Sequence, residues 1–295
     1  MKIKQSLHYH AMLLPGIVIL LIFSVYPMFG IVMAFESFNP SKGFWGSRWV
    51  GLENFHYMFE IPDSYQVFKN TIFIAFGKII ANLVVSLFFA LILNELRFKT
   101  MKRVIQTIVY LPHFISWVLL GGILAQMFSF DGIVNQIGGL FGAEPVLFMG
   151  NNHWFPTILI GSDVWKEFGF SAIVFIAALT GINPSLYESA AIDGAGRWQR
   201  LRYVTIPGIS TTVVLITTLA LQNVLNAGFE QILNLYNPVV YQSADIIDTY
   251  VYRVGLIESQ FELATAVGLL KSIVSFILIV ISYRLAARYA NYRIF

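Results

Sequence analysis

Asn183-Pro184-Ser185-Leu186-Tyr187-Glu188-Ser189-Ala190-Ala191-Ile192-Asp193-Gly194-Ala195-Gly196-Arg197-Trp198-Gln199-Arg200-Leu201-Arg202-Tyr203-Val204-Thr205-Ile206-Pro207 is a polar interval between two long apolar runs, 157–181 and 209–229. A helix can start here in two ways. Asn183 can cap it with Pro184 in the first turn, or Ser185 and Glu188 can form a capping box. Gly194 and Gly196 permit the turn that ends it. Arg197 to Ile206 can form a second short helix, and Pro207 is expected to break the chain before the next apolar run. The interval therefore reads as a helix-turn-helix knob, with small Ser189, Ala190 and Ala191 allowing close approach by a partner.

Outward from the knob the chain is apolar almost throughout. Of 295 residues, 57% are hydrophobic and 12% charged, with a mean hydropathy of +0.70; soluble domains carry about 25% charged residues. Six stretches, near 11–35, 70–95, 104–128, 157–181, 209–229 and 264–286, are long enough to cross a hydrocarbon core of about 30 Å. The first is too long for a signal-peptide core and lacks a small-residue cleavage site, so it reads as a retained span. The expected fold is all-α: a polytopic membrane protein with six transmembrane helices forming a single domain over 1–295.

Basic residues orient the spans. Lys2 and Lys4, then Arg97, Lys99, Lys102 and Arg103, then Arg197, Arg200 and Arg202, and finally Arg284, Arg288 and Arg293 all fall on one side of a six-span chain. The opposite loops hold Lys42, Arg48 and Arg253 against many acids, among them Glu36, Glu53, Asp131, Glu230, Asp248 and Glu262. Both termini and the 183–207 knob are expected to be cytoplasmic. The outer loops are also rich in aromatic residues, such as Trp45, Trp49, Trp154 and Tyr236, which favour the headgroup zone.

The absence of cysteine excludes thiolate chemistry and iron–sulfur clusters, the five histidines are scattered, and no phosphate-binding glycine-rich lysine motif occurs. No metal site is expected, and ATP is not expected to bind this chain. A net charge of +3 does not point to nucleic acid.

Charge inside the spans is more informative. Lys78, Lys166 and Lys271 are each the eighth to tenth residue from the outer end of their spans, a common depth at about 1.5 Å per residue. A lysine at a span centre costs about 2.5–3.5 kcal/mol, so such residues face a bundle interior or a watery cavity. Asp163, Trp165 and Glu167 accompany Lys166. Gln222, Asn223 and Asn226 would share one helical face, and Gln126 sits near the outer end of the third span. Two readings stay open: these residues line a solute pathway, or Lys166 and Glu167 pair with neighbouring helices while the amides join helix to helix.

Glu188-Ser189-Ala190, Gly194, Val204 and Ile206-Pro207 follow the E-A-A-x3-G-x9-I-x-L-P signature of permease subunits of binding-protein-dependent ABC importers, with Ser189, Val204 and Ile206 as mild departures. The resemblance continues through Leu14-Pro15-Gly16, Trp49 to Phe55, Tyr110 to Trp117, Phe229-Glu230-Gln231 and Asp248 to Arg253. It is similar to the carbohydrate-uptake group related to LplB, which includes aldouronate importers and one half of the alginate-oligosaccharide importer's membrane pair. The resemblance implies a bacterial inner-membrane subunit that is not itself an enzyme. It implies a heterodimer with a similar permease, two ATPase subunits carrying ATP and Mg, and an extracytoplasmic solute-binding protein. It makes the knob the coupling helix, with Glu188, Ser189, Ala190, Asp193, Gly194 and Pro207 as coupling residues; a capping role for Glu188 is compatible with that. The intramembrane lysines would suit an acidic oligosaccharide. The competing reading is an ion-coupled secondary transporter, which would show inverted repeats and broken helices; neither is visible in the sequence.

Overall fold

The computed structural model describes residues 2–222 and 224–289, so Asn223 and Arg293 lie outside the described residues, as does the side chain of Gln222. Apart from a two-stranded hairpin the chain is helical. It forms two compact units, one from residues 1–62 and 250–270, the other from 63–249 and 271–295.

In the first unit, the Lys2–Leu20 helix runs on through a widened turn at Leu21–Val25 and a tight one at Tyr26–Phe35. Ala11–Phe35 is long and apolar enough to cross a membrane. Its side chains are exposed along most of their length, with Phe23 at 74%, as a helix solvated by lipid or a partner requires. The antiparallel hairpin pairs Glu36 with Trp49. Asn54 fastens it by donating to the Ala34 and Glu36 carbonyls at 3.0 and 2.9 Å.

The second unit is built around two long helices, Pro62–Glu95 and Phe155–Thr180. The first starts eight residues before the expected span because its polar opening turns are satisfied: Gln66 and Asn70 donate to the Gln242 carbonyl at 2.9 and 3.1 Å. Ala90, Ala172, Phe175, Leu179 and Ile209 form a buried core between these helices and Ile206–Gln222.

Three expectations about helix boundaries change. The stretch expected as a third span is two helical pieces, Lys99–Phe114 and Trp117–Met127, bent by 99°. Pro112 lies at the bend, and Ser116 caps the second piece by accepting from the Leu119 N–H at 3.4 Å, so the sequence carries both a helix breaker and a helix start there. The fifth span extends from Arg197 to Gln222 without interruption at Pro207. A widened turn at Leu201–Thr205, in which the Ile206 N–H reaches back to the Leu201 carbonyl, absorbs the missing proline donor and the ring. Finally, this span ends at Gln222 rather than 229. Residues 225–228 are non-helical, and Asn226 lies there instead of sharing a helical face with Gln222.

By length and composition, four helices can cross a membrane, or up to six if the two bent pairs each count as one span. The second bent pair is Phe155–Thr180 with Pro184–Ile192, at 65°. Broken helices are thus present, contrary to the sequence reading.

Candidate functional site: a charged cavity wall and an exposed knob

Lys78 stands at the middle of the Pro62–Glu95 helix and is 7% exposed. An ammonium has three hydrogens to donate, and here each has an acceptor: the Ala227 carbonyl at 2.7 Å, Gln231 Oε1, and Asp163 Oδ1 at 3.3 Å. Gln231 is fully buried and donates onward to the Leu159 carbonyl and to Ser162 Oγ at 2.7 and 2.9 Å. One lysine therefore ties the helix end of the unwound 225–228 segment to both long helices. Gly228 makes this approach possible. Its φ is +97°, a backbone hand that favours glycine, and a Cβ there would stand 2.6 Å from Lys78 Nζ and displace the ammonium.

Lys166 has a different task. It donates to the His113 carbonyl at 2.7 Å and to Glu167 Oε1 at 2.9 Å, and lies 5.5 Å from the Trp117 ring centroid. Glu167 Oε2 lies 2.7 Å from His113 Nδ1, and the His113 ring stacks on Phe170 at 4.1 Å. The pair thus satisfies backbone and side chain at the break of the third span, where helical hydrogen bonds are lost. Lys271 donates to Asp248 Oδ1 at 2.5 Å and Asn226 Oδ1 at 2.9 Å.

All three lysines are held by carboxylates: Lys78 by Asp163, Lys166 by Glu167 and Lys271 by Asp248. The cost of placing lysines among spans is offset within the chain itself.

Lys78, Asp163, Glu167 and Asn226 also border a cavity of about 550 Å³, together with Asn82, Ser86, Ser171 and Thr217. Trp165 instead lines an apolar cavity with Leu120, Phe148 and Trp154. Gln126 is exposed on the Trp117–Met127 helix and borders neither cavity.

The knob is ordered by local chemistry. Asn183 Oδ1 accepts from the Ser185 N–H at 3.0 Å, with Pro184 in the first turn, so the asparagine cap is the one adopted. At the other end Gly194, at φ +76°, donates to the Ala191 carbonyl and Ala195 to the Ala190 carbonyl, at 3.1 and 2.9 Å. This is the left-handed glycine cap that closes a helix. Gln199 Oε1 accepts from the Gly196 N–H at 2.7 Å to start the next helix, and Tyr187 and Thr205 hydroxyls join the two at 3.0 Å. Glu188, Ser189, Asp193 and Gly194 are exposed, as are Leu186, Ile192 at 86% and Trp198 at 71%.

A family model, the binding-protein-dependent transport system inner membrane component, matches residues 82–291. The chain belongs to this family. It is a permease of an ABC importer, sited in the inner membrane. Among curated relatives, the polygalacturonan/rhamnogalacturonan transport system permease protein YteP of Bacillus subtilis (strain 168) is 37% identical over 98% of this chain and 91% of its own. Protein LplB of the same organism is 37% identical over 94% of this chain and 87% of its own. A chain of a bacterial ABC transporter involved in the import of the acidic polysaccharide alginate superposes with a TM-score of 0.90 at 37% identity, covering 98% of each chain.

Within the permease, sequence reasoning singled out the three lysines but not the roles of Gln231, Gly228 and Asp248. Gly228 falls at the very end of the expected fifth span, 209–229, and Gln231 and Asp248 lie beyond it, in what reads as an outer loop. The available signal was the helix-poor run Asn226-Ala227-Gly228 directly before Phe229-Glu230-Gln231.

Proposed function

We propose that this chain acts as one permease domain, with both termini and the knob cytoplasmic, and forms half of the alternating-access pathway of an ATP-driven oligosaccharide importer. Its proposed cargo is an acidic oligosaccharide of the uronate or alginate kind, handed over by an extracytoplasmic solute-binding protein. A second, similar permease completes the pathway, and two ATPase subunits carry ATP and Mg. The observation that carries this reading is the full-length superposition on a chain of the alginate importer at a TM-score of 0.90 and 37% identity. The permease named for polygalacturonan and rhamnogalacturonan transport, polymers that contain uronic acids, supports the acidic cargo.

The fold suggests how force would travel. The knob leads directly into Arg197–Leu221, a 25-residue helix about 38 Å long at 1.5 Å per residue. Its far end meets the 225–228 segment at the cavity. A rod that is not hinged at Pro207 delivers displacement of the knob to the cavity wall, so closure of the ATPases would reshape the site where cargo passes. Glu188, Ser189, Ala190, Asp193 and Gly194 present the docking surface, while Pro207 sits in the rod. Lys78, Glu167 and Asn226 border the pathway cavity, Lys166 and Lys271 hold Glu167 and Asn226 by hydrogen bonds, and this paired state shifts the burden of acid recognition away from free lysine charge.

Affinity capture of the chain from native membranes tests the assembly: an ABC ATPase and a second permease should be recovered with it. Gly194→Asp, which burdens the left-handed cap, should lower recovery of the ATPase while leaving the chain in the membrane. Solute movement by the purified chain alone, without ATPase or nucleotide, would refute the reading.

A further inference from the structure

Two polar stripes face the 550 Å³ cavity. Along the Pro62–Glu95 helix, Lys78, Asn82 and Ser86 are spaced four apart; along Phe155–Thr180, Asp163, Glu167 and Ser171 are spaced likewise. Such spacing keeps each set on one helical face. Both stripes change character along their length. The charged members stand at one end, and the neutral ones follow on the side from which Phe155–Thr180 leads into the knob.

At the charged end the groups are occupied: the Lys78 ammonium has its three acceptors, one of them Asp163, and the Glu167 carboxylate has both oxygens engaged. At the neutral end the reverse holds. Neither the Asn82 amide nor the Ser171 hydroxyl makes a hydrogen bond with any described residue, whereas Ser86 donates to the Asn82 carbonyl at 2.6 Å and Thr217 to the Val213 carbonyl at 2.8 Å. Asn82 is the one strongly polar residue in Ile79 to Val85. An amide in a spanning helix with no protein partner is costly unless it faces water or a polar solute. The cavity wall also carries two acids and one lysine, Asp163 and Glu167 against Lys78, and so offers no surplus positive charge to a carboxylate.

We propose that Asn82, with Ser171 opposite, is a specificity-determining residue that hydrogen-bonds the hydroxyl groups of a passing sugar on the knob side of the charged tier. This rests on the oligosaccharide reading above. A side-chain amide both donates and accepts, and a hydroxyl does the same, so the pair suits a ring that presents hydroxyls in succession and does not need its charge.

The test uses the intact importer in proteoliposomes with its binding protein, measuring uptake of trigalacturonate and ATP hydrolysis together. Asn82→Leu keeps the shape and removes the hydrogen bonds; uptake per ATP hydrolysed should fall about tenfold, the scale of one lost hydrogen bond, with stimulated hydrolysis unchanged. Asn82→Gln keeps both a donor and an acceptor, adds no charge beside the anionic cargo, and should retain most of the uptake. Unchanged uptake in Asn82→Leu, a parallel fall of uptake and hydrolysis, or an Asn82→Gln variant as impaired as Asn82→Leu would each overturn the assignment. An unmodified importer that carries no saccharide would instead refute the oligosaccharide reading itself.

Discussion

The Lys78 cluster and the 183–207 knob place polar groups in opposite conditions. Around Lys78, a buried ammonium meets an acceptor for each of its hydrogens, and the amide and carboxylate that receive them are tied to both long helices. On the knob, backbone groups are closed by Asn183 and Gly194, and Tyr187 is tied to Thr205, yet Glu188, Ser189 and Asp193 are exposed with no side-chain hydrogen bond or ion pair among the described residues. Inside, polar chemistry holds elements together; outside, a capped helix displays exposed polar side chains. Charge within a spanning helix is therefore a weaker sign of ligand contact than the state of its hydrogen bonds.

The sharpest way to break this comparison is Lys78→Met. If the lysine is a structural tie, its loss leaves Asp163 and Gln231 without their partner, and removing one member of a buried pair costs about 3–5 kcal/mol. Thermal unfolding of the detergent-solubilised importer should shift down markedly, and uptake of acidic and neutral oligosaccharides should fall alike. Restoring charge balance with Asp163→Asn in the same chain should recover part of the stability. Unchanged unfolding with a loss confined to acidic sugars would show that Lys78 serves cargo instead.

What the sequence disclosed follows the same division. Hydropathy located the long helices, because a run such as Ala11 to Phe35 needs no tertiary partner to declare itself. The knob was equally readable, since caps, glycines and small residues act within a few positions of one another. The interruptions were harder. Proline was expected to break the chain at Pro207, where a widened turn carries the helix through, while the bend near Pro112 lay hidden inside an apolar run. The partners of the lysines were the least accessible. Gln231 reaches Lys78 across 153 residues of chain and Asp248 reaches Lys271 across 23, and no local pattern encodes such pairings. Asn82 was passed over because a single amide in an apolar helix resembles a helix-to-helix contact until its neighbours are known.

A smaller effect should come from the knob's own support. Asn183→Ala removes the oxygen that caps the Pro184–Ile192 helix, a change worth about 1 kcal/mol. The cap is exposed and local, so global unfolding should move only slightly. Fraying of the knob should be visible as faster backbone hydrogen exchange over 184–192, with little change around Lys78. Comparable protection loss at both places would mean that the two regions are not independent.

Glu188→Ala should have the smallest effect on stability and the most selective effect on function. The carboxylate is exposed on the knob helix, and the helix start is already capped by Asn183, so its removal exposes no buried group and opens no cavity. Surface substitutions of that kind stay within about 0.5 kcal/mol. A docking role predicts that the thermal unfolding curve is unchanged while the ATPase is lost during purification and uptake stops. A purely helical role for Glu188 predicts a small stability loss with the ATPase retained, and the two outcomes differ on both measurements. Lys78→Met and Glu188→Ala thus bracket the comparison: the first is expected to remove transport by loosening the permease, the second to do so with the fold intact, through loss of the proposed ATPase contact.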